Sequence, residues 1–518
     1  MIIIGGRKLT SEDFYRILYQ GEKVELDRGA MEEVAKSHAF LESFAQDKII
    51  YGINTGLGPM AQYKVDKADQ VQLQYNLIRS HASGSGRNIP NRAVRALMVA
   101  RLNNFMQAYS GIHPDIPVLL KDFINENIIP LIPEHGGVGA SGDLVQLAHL
   151  ALCLIGEGDM FYKNFTRQGA DVFKEAGLEP ARVHIREGLA LVNGTSCMSG
   201  IGILSVIKAR KLLDWAIMAS AMINEVVESY DDHYSYELNR VKLHRGQNEV
   251  TDRLQNILQG SGLVRKRAEH LYNGNGKEEK VFTRKIQEYY SLRCITQILG
   301  PVCDTVENAE KVLLDEINSV NDNPVIDYRE QTVNHGGNFH GDYVSLEMDK
   351  LKIAITKLSM LSERQINFLM NEKLNNSLPP FVNLGTLGLN LGMQGVQFTA
   401  TSTVAENQAL SNPMYVHSIP TNNDNQDIVS MGTNSALMAM RVIDNTFEVL
   451  AIELIALLQA IDSLDFADRL SPSTKAVYAT LRKIVPAFRE DSPKYKEIRR
   501  VRKFIQSHDT SMKQKDIT

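Results

Sequence analysis

Residues 344–369 read VSLEMDKLKIAITKLSMLSERQINFL, and within them Leu346, Leu351, Ile355, Leu358, Leu361 and Leu369 recur at mostly helical spacing. Lys350, Lys357 and Glu363 fall off that stripe, so the segment is expected to bury one face against other helices. Neither glycine nor proline interrupts the chain between Gly341 and the pair Pro379-Pro380, and the same holds for residues 203–245, 302–323 and 433–471. At 1.5 Å per residue such runs can form helices of roughly 30 to 60 Å. The first 200 residues, by contrast, are punctuated often by both breakers. No internal repeat, low-complexity tract or strand–helix alternation of a parallel sheet is visible. The expected fold is mainly α. It divides into a mixed, mostly helical N-terminal part over residues 1–200 and a long-helix bundle with a C-terminal helical extension over 201–518.

At 518 residues with 43% hydrophobic content, burial of large cores is not limiting. Fifty-six basic against 61 acidic residues give a net charge of -5, which argues against nucleic acid as a partner and for small molecules or proteins. The basic stretch from Lys483 to Lys515 reads as a solvated helix face. Cys153, Cys197, Cys294 and Cys303 have no CxxC spacing and read as reduced core residues. No apolar run approaches the roughly 18 to 20 residues that span a bilayer, and no secretory signal opens the chain, so a cytoplasmic protein without membrane association is expected. Two glycosylation sequons, at Asn164 and Asn193, are discounted for the same reason.

Gly137-Val138-Gly139-Ala140-Ser141-Gly142 matches the GxGxxG dinucleotide pattern in form. Pro130 and Pro133 stand where a central strand would be required, and Asp143 places a carboxylate where a pyrophosphate would sit, so that reading is set aside. From Leu144 to Ile155 the chain is apolar almost all round, which implies a buried helix whose N-terminus points inward. Taken alone, Ser141 or Asp143 would serve as its N-cap.

Other motifs accompany this loop: Tyr51-Gly52-Ile53-Asn54-Thr55-Gly56-Leu57-Gly58 before it, and Asn193-Gly194-Thr195, Tyr290-Ser291-Leu292-Arg293, Asn321-Asp322-Asn323-Pro324, Gly337-Asn338-Phe339-His340 and Asn425-Gln426-Asp427 after it. In this order, over nearly the whole chain, they resemble the aromatic amino acid ammonia-lyases and aminomutases, with their ammonia-lyase/fumarase-like fold. The resemblance implies a 4-methylidene-imidazol-5-one (MIO) electrophile made from Ala140, Ser141 and Gly142 by backbone cyclisation and loss of two waters, without an external cofactor. It also implies a homotetramer with shared active sites. The chemistry suits these residues: only small side chains permit so compressed a backbone, and Ser141 carries a hydroxyl that can leave.

The reaction must remove a weakly acidic β-proton while a poor leaving group departs, which calls for an electrophile and a positioned base. By resemblance the base is Tyr51, with Tyr290 as a further catalytic residue, and alkaline conditions are expected to favour it. Arg293 would take the substrate carboxylate through a bidentate fork. Gln287, Asn193, Asn425 and Gln426 are implied as polar contacts, Phe339 as packing against the electrophile, and Glu406 as a pocket residue. Asn323 fits a turn before Pro324 equally well. His335 with His340, and Asp231-Asp232-His233, lack metal-site spacing, so no metal is expected.

Ser80-His81 occupies the family's selectivity position. That pair is shared with histidine lyases, whereas Gln146, His417 and Ile428 depart from their pattern. Gly136 to Gln146 resembles a group of bacterial tyrosine ammonia-lyases, and in that reading His81 hydrogen-bonds the phenol. L-Tyrosine is therefore the expected substrate, giving trans-4-coumarate. L-Histidine to urocanate comes second, a tyrosine 2,3-aminomutase third, and an inactive helical scaffold last.

Overall fold

The computed structural model describes residues 1–274, 279–282 and 285–510. It is mainly α, and the four longest helices are Ser196–Val226, Ile295–Ile317, Asp342–Met370 and Gly432–Leu464. Among the described residues, sheets occur only as short pairs and one triplet: Ile2–Ile4 runs parallel to Val24–Leu26, while Ser85–Asn88 pairs antiparallel with Pro133–His135. The end of the basic stretch, residues 511–515, lies outside the described residues.

Breaker-free runs seed the long helices but do not set their ends. The long helix of the run 203–245 ends at Val226, Glu228 then adopts a left-handed φ of 47°, and only the short turns Asp231–Tyr234 and Tyr236–Asn239 follow before Arg245. The run 433–471 ends its helix at Leu464, and Asp465 follows at φ 54°. Both stops use a non-glycine residue where glycine is the usual signal, so the sequence carries no mark of them. The opposite error occurs at Gly300-Pro301, which the helix Ile295–Ile317 passes through. In 344–369 the stripe Leu351, Ile355, Leu358, Leu361 and Leu369 is buried as expected, but Leu346 is 40% exposed. Glu363, expected on the solvent side, is buried and accepts a 3.4 Å hydrogen bond from Thr401.

The chain forms two compact units, each discontinuous in sequence. The first comprises residues 1–207, 308–349 and 413–440, and the second 208–307, 350–412 and 441–518. The first crossing, at 207/208, lies near the division expected at residue 200, whereas the two later returns to the first unit have no compositional mark. Four of the five crossings fall inside the four long helices, where the chain has no reason to change its pattern. No helix among the described residues is long and apolar enough to cross a membrane.

Candidate active site

The first unit contains a cavity of about 770 Å³. Tyr51, Ser80, His81, Ala140, Ser141, Asn193, Asn323, Phe339, Asn425 and Gln426 line it, although they come from segments more than 370 residues apart in sequence.

The small-residue loop forms one wall. Gly136, Gly139 and Gly142 all have left-handed φ, and at Gly142 a β-carbon would collide with the carbonyl of Gly194. That contact is a backbone bridge: the Asp143 N–H donates to the Gly194 carbonyl at 2.8 Å, and Gly142 pairs with Gly194 in parallel register. Only glycine satisfies both the dihedral and the approach. The Asn193 side-chain amide donates to the Ser141 carbonyl at 3.1 Å, and the Gln426 amide donates to the Ser141 hydroxyl at 3.1 Å. Ser141 is therefore held from both sides, by residues 52 and 285 positions away.

Asp143 precedes the buried helix Leu144–Leu154 but does not cap it through its side chain. Its carboxylate instead accepts from the N–H groups of Cys197 (2.8 Å) and Met198 (3.0 Å), at the start of the helix Ser196–Val226. The Thr433 hydroxyl also donates to it. Complete burial pushes the Asp143 carboxyl up to about 6, opposed by these hydrogen bonds and by the buried Arg101. The N-cap role expected from sequence is thus served across space: the carboxylate ties the loop to a second helix N-terminus, where the dipole favours it.

Tyr51 lies in a tight turn anchored by side chains of its own motif. Asn54 accepts from the Ile50 N–H at 2.9 Å and donates to the Lys48 carbonyl at 2.6 Å, while Thr55 accepts from the Gly52 N–H at 3.1 Å. The Tyr51 phenol oxygen accepts a 2.8 Å hydrogen bond from the Gly58 N–H. A backbone donor aimed at a phenol oxygen stabilises negative charge there. Buried Gln74, in the helix Gln70–His81, donates to the Gly52 carbonyl at 2.8 Å and accepts from the Leu189 N–H at 3.1 Å. The same helix ends on Ser80-His81, so one rigid element spaces Tyr51 from those two residues.

Sequence reasoning passed over Gly58, Asn76, Leu144, Leu189, His340 and Asn422, all of which line the cavity. Gly58 was quoted within its motif, and its left-handed φ of 54° is the property that a glycine there signals. Asn422, Asn423 and Asp424 form three successive left-handed residues before Asn425, a conformation Asn and Asp tolerate and a turn signal that was available.

Gln287, Tyr290, Arg293 and Glu406 belong to the second unit and do not line this cavity. Gln287 and Arg293 line another cavity of about 550 Å³ with Asp232, His233 and Arg267. Tyr290 stacks beneath the Arg293 guanidinium at 4.7 Å and is 69% exposed. Glu406 accepts from Arg441 (3.2 Å) and Asn445 (3.0 Å). Among the described residues, Glu249, Cys303 and Glu307 bring three ligand-type atoms within 4.8 Å of one another, also in the second unit.

The family model for the aromatic amino acid lyases matches residues 9–483. The chain is 38% identical over 509 residues to a tyrosine 2,3-aminomutase of Chondromyces crocatus, covering 97% of this chain and 96% of the relative. It is also 38% identical over 492 residues to a histidine ammonia-lyase of Geobacillus thermodenitrificans, covering 95% and 94% respectively. The crystal structure of tyrosine aminomutase from Streptomyces globisporus superposes with a TM-score of 0.94 at 37% identity, over 98% of this chain and 96% of that one. The chain therefore belongs to the family of aromatic amino acid ammonia-lyases and aminomutases, which are carbon–nitrogen lyases.

Proposed function

We propose that the protein eliminates ammonia from L-tyrosine, giving trans-4-coumarate. The observation that carries this reading is the state of His81 on the wall of the cavity that also holds Tyr51 and Ser141. Its Nδ1 lies 3.0 Å from the Leu77 carbonyl, which can only accept, and 3.0 Å from the Ser80 hydroxyl, which itself donates to Leu77 at 3.2 Å and can accept; the neutral ring with its hydrogen on Nδ1 satisfies both contacts. Nε2 is then an acceptor. A phenol hydroxyl donates to such an atom, while an unsubstituted phenyl ring leaves it without a partner.

The loop suits an MIO group formed from Ala140, Ser141 and Gly142. Gly142 is pinned against Gly194, Ser141 is held by the amides of Asn193 and Gln426, and the buried Asn193 Oδ1 has no hydrogen-bond partner among the described residues. Once formed, the group would supply an electrophile for the substrate's amine and so improve it as a leaving group. Tyr51 removes the β-proton, with the Gly58 N–H stabilising the phenolate as it abstracts. Phe339 and Leu189 exclude water beside the ring. Gln287, Tyr290, Arg293 and Glu406 are supplied by neighbouring subunits of a cytoplasmic homotetramer, Arg293 taking the carboxylate. Their absence from the lining of this chain's own cavity supports that arrangement.

A second reading, a tyrosine 2,3-aminomutase, is favoured by relatives bearing that name at 38% identity. It uses the same groups and returns the ammonia to the β-carbon. Incubation with L-tyrosine, L-histidine and L-phenylalanine, followed by absorbance and chromatography, separates the readings. Coumarate from tyrosine, lost in Ser141→Ala, supports the lyase. β-Tyrosine as the main product would replace it with the aminomutase, and urocanate from histidine with a histidine lyase. An intact mass lighter by two waters reports the MIO group independently of turnover.

A further inference from the structure

Arg293 lacks a carboxylate partner although an aspartate shares its cavity. Among the described residues its guanidinium makes no ion pair, and its buried Nε has no hydrogen-bond partner; its one aromatic contact is with Tyr290. Asp232 lines the same cavity. A carboxylate lining the same cavity as a guanidinium is a competitor for it unless another cation occupies that carboxylate.

Arg267 does so. Its Nε donates to an Asp232 carboxylate oxygen at 2.5 Å, and its Nη1 donates to the Ile286 carbonyl at 2.9 Å. The guanidinium lies 4.3 Å over the Tyr230 ring, and the Arg267 N–H is held by Asp231 at 3.1 Å. Three contacts fix this side chain and a fourth its backbone, and the side chain is 14% exposed. Its remaining nitrogen, Nη2, faces His233 Nε2 at 3.4 Å. Burial pushes His233 down to about 4, with Arg267, Arg293 and Lys285 adding to the effect and Asp232 opposing it, so a neutral ring stands among these charges. Lys285 is itself paired with Glu288 and cannot release Asp232 from its need for a cation.

We propose that Arg267 is a positioning residue that keeps Asp232 occupied and thereby leaves Arg293 free to take the substrate's carboxylate. The inference rests on the reading of Arg293 as the carboxylate anchor. Removing the Arg267 charge releases Asp232, which then competes with the substrate for Arg293. The effect falls on ligands that carry a carboxylate and is absent for those that lack one.

The test is binding of trans-4-coumarate and of tyramine, the decarboxylated analogue of tyrosine, to the assembled enzyme by calorimetry. In Arg267→Met, coumarate is expected to bind roughly 10- to 100-fold more weakly, as for loss of a charge-assisted pair, with tyramine unchanged. The double variant Asp232→Asn/Arg267→Met is expected to regain coumarate binding to within about threefold of the unmodified enzyme. Coumarate affinity unchanged in Arg267→Met, or a double variant as weak as the single one, overturns the proposal. Should Arg267→Met fail to fold on thermal melting, Asp232→Asn alone decides: coumarate bound at least as tightly supports the proposal, and weaker binding overturns it. Arg293→Met separates the two layers, since undiminished coumarate binding there would refute the anchor itself.

Discussion

Replacing His81 with phenylalanine removes the Nε2 atom proposed to select for a phenol, together with the Nδ1 contacts to the Leu77 carbonyl and the Ser80 hydroxyl at the end of the same helix. His81 ends the helix Gln70–His81, which is held by Gln74 to the Gly52 carbonyl and the Leu189 N–H, seven residues before the substitution. Tyr51 and the Ser141 loop therefore keep their positions. On the substrate side the loss is the hydrogen bond accepted by Nε2, so the phenol hydroxyl faces a hydrocarbon ring; the local Nδ1 contact to Leu77 is lost for both substrates alike and cancels in their ratio. An unpaired hydroxyl in a closed site costs about 1 to 3 kcal/mol, which is roughly 5- to 150-fold in kcat/KM for tyrosine. L-Phenylalanine makes no hydrogen bond to Nε2 and gains an apolar neighbour, so the ratio of its kcat/KM to that of tyrosine should rise by at least that same roughly 5- to 150-fold. Steady-state rates of coumarate and cinnamate formation measure the ratio directly. A variant that keeps the unmodified enzyme's preference to within about threefold would refute the acceptor role. His81→Gln, which can present a carbonyl oxygen, is expected to fall between the two.

Gly142→Ala should yield a chain whose intact mass shows no loss of water and which is inactive, because a β-carbon meets the Gly194 carbonyl; a normally matured variant would contradict the packing argument. Co-expression of Tyr51→Phe with Arg293→Met, each inactive alone, should restore measurable lyase activity if sites are shared between subunits, and persistent inactivity would argue for sites built within one chain. Glu453 is completely buried and its carboxyl is pushed from 4.5 up to about 8 by burial, with the Ser362 hydroxyl opposing. The folded chain thus holds a proton that the unfolded chain releases, and stability contributed by that proton is lost as pH rises from about 4.5 to about 8. Glu453→Gln should accordingly melt near the unmodified protein at pH 5 and above it at pH 9, and equal melting at both would show that Glu453 is not the group responsible.

Residues that the sequence grouped by motif do share a cavity, and part of the reason is local: the MIO reading asks Ser141 for a leaving hydroxyl, Gly142 must lack a side chain, and Tyr51 sits in a motif whose Asn54 and Thr55 build its turn. The second requirement had a visible signal, but its cause did not: the obstacle at Gly142 is a carbonyl 52 residues away. Asp143 shows the limit clearly. Its position suggested a cap for the helix that follows it, and proximity in the chain was the only guide available. The carboxylate serves the helix that begins at Ser196 instead, a preference set by burial.

By itself, the sequence determined that this is a mainly helical protein of the aromatic amino acid lyase family, because long breaker-free runs with apolar stripes leave few alternatives and the motifs carry specific chemistry. Only the tertiary structure decided where those helices stop, how the chain divides into two interleaved units, and which predicted residues share a cavity. Helix stops at Glu228 and Asp465, with left-handed backbones and no glycine, follow from packing and not from local preference. The assignment of Arg293 and Ser141 to different units follows for the same reason: a motif identifies a side chain's chemistry, while contacts among residues hundreds of positions apart decide its neighbours.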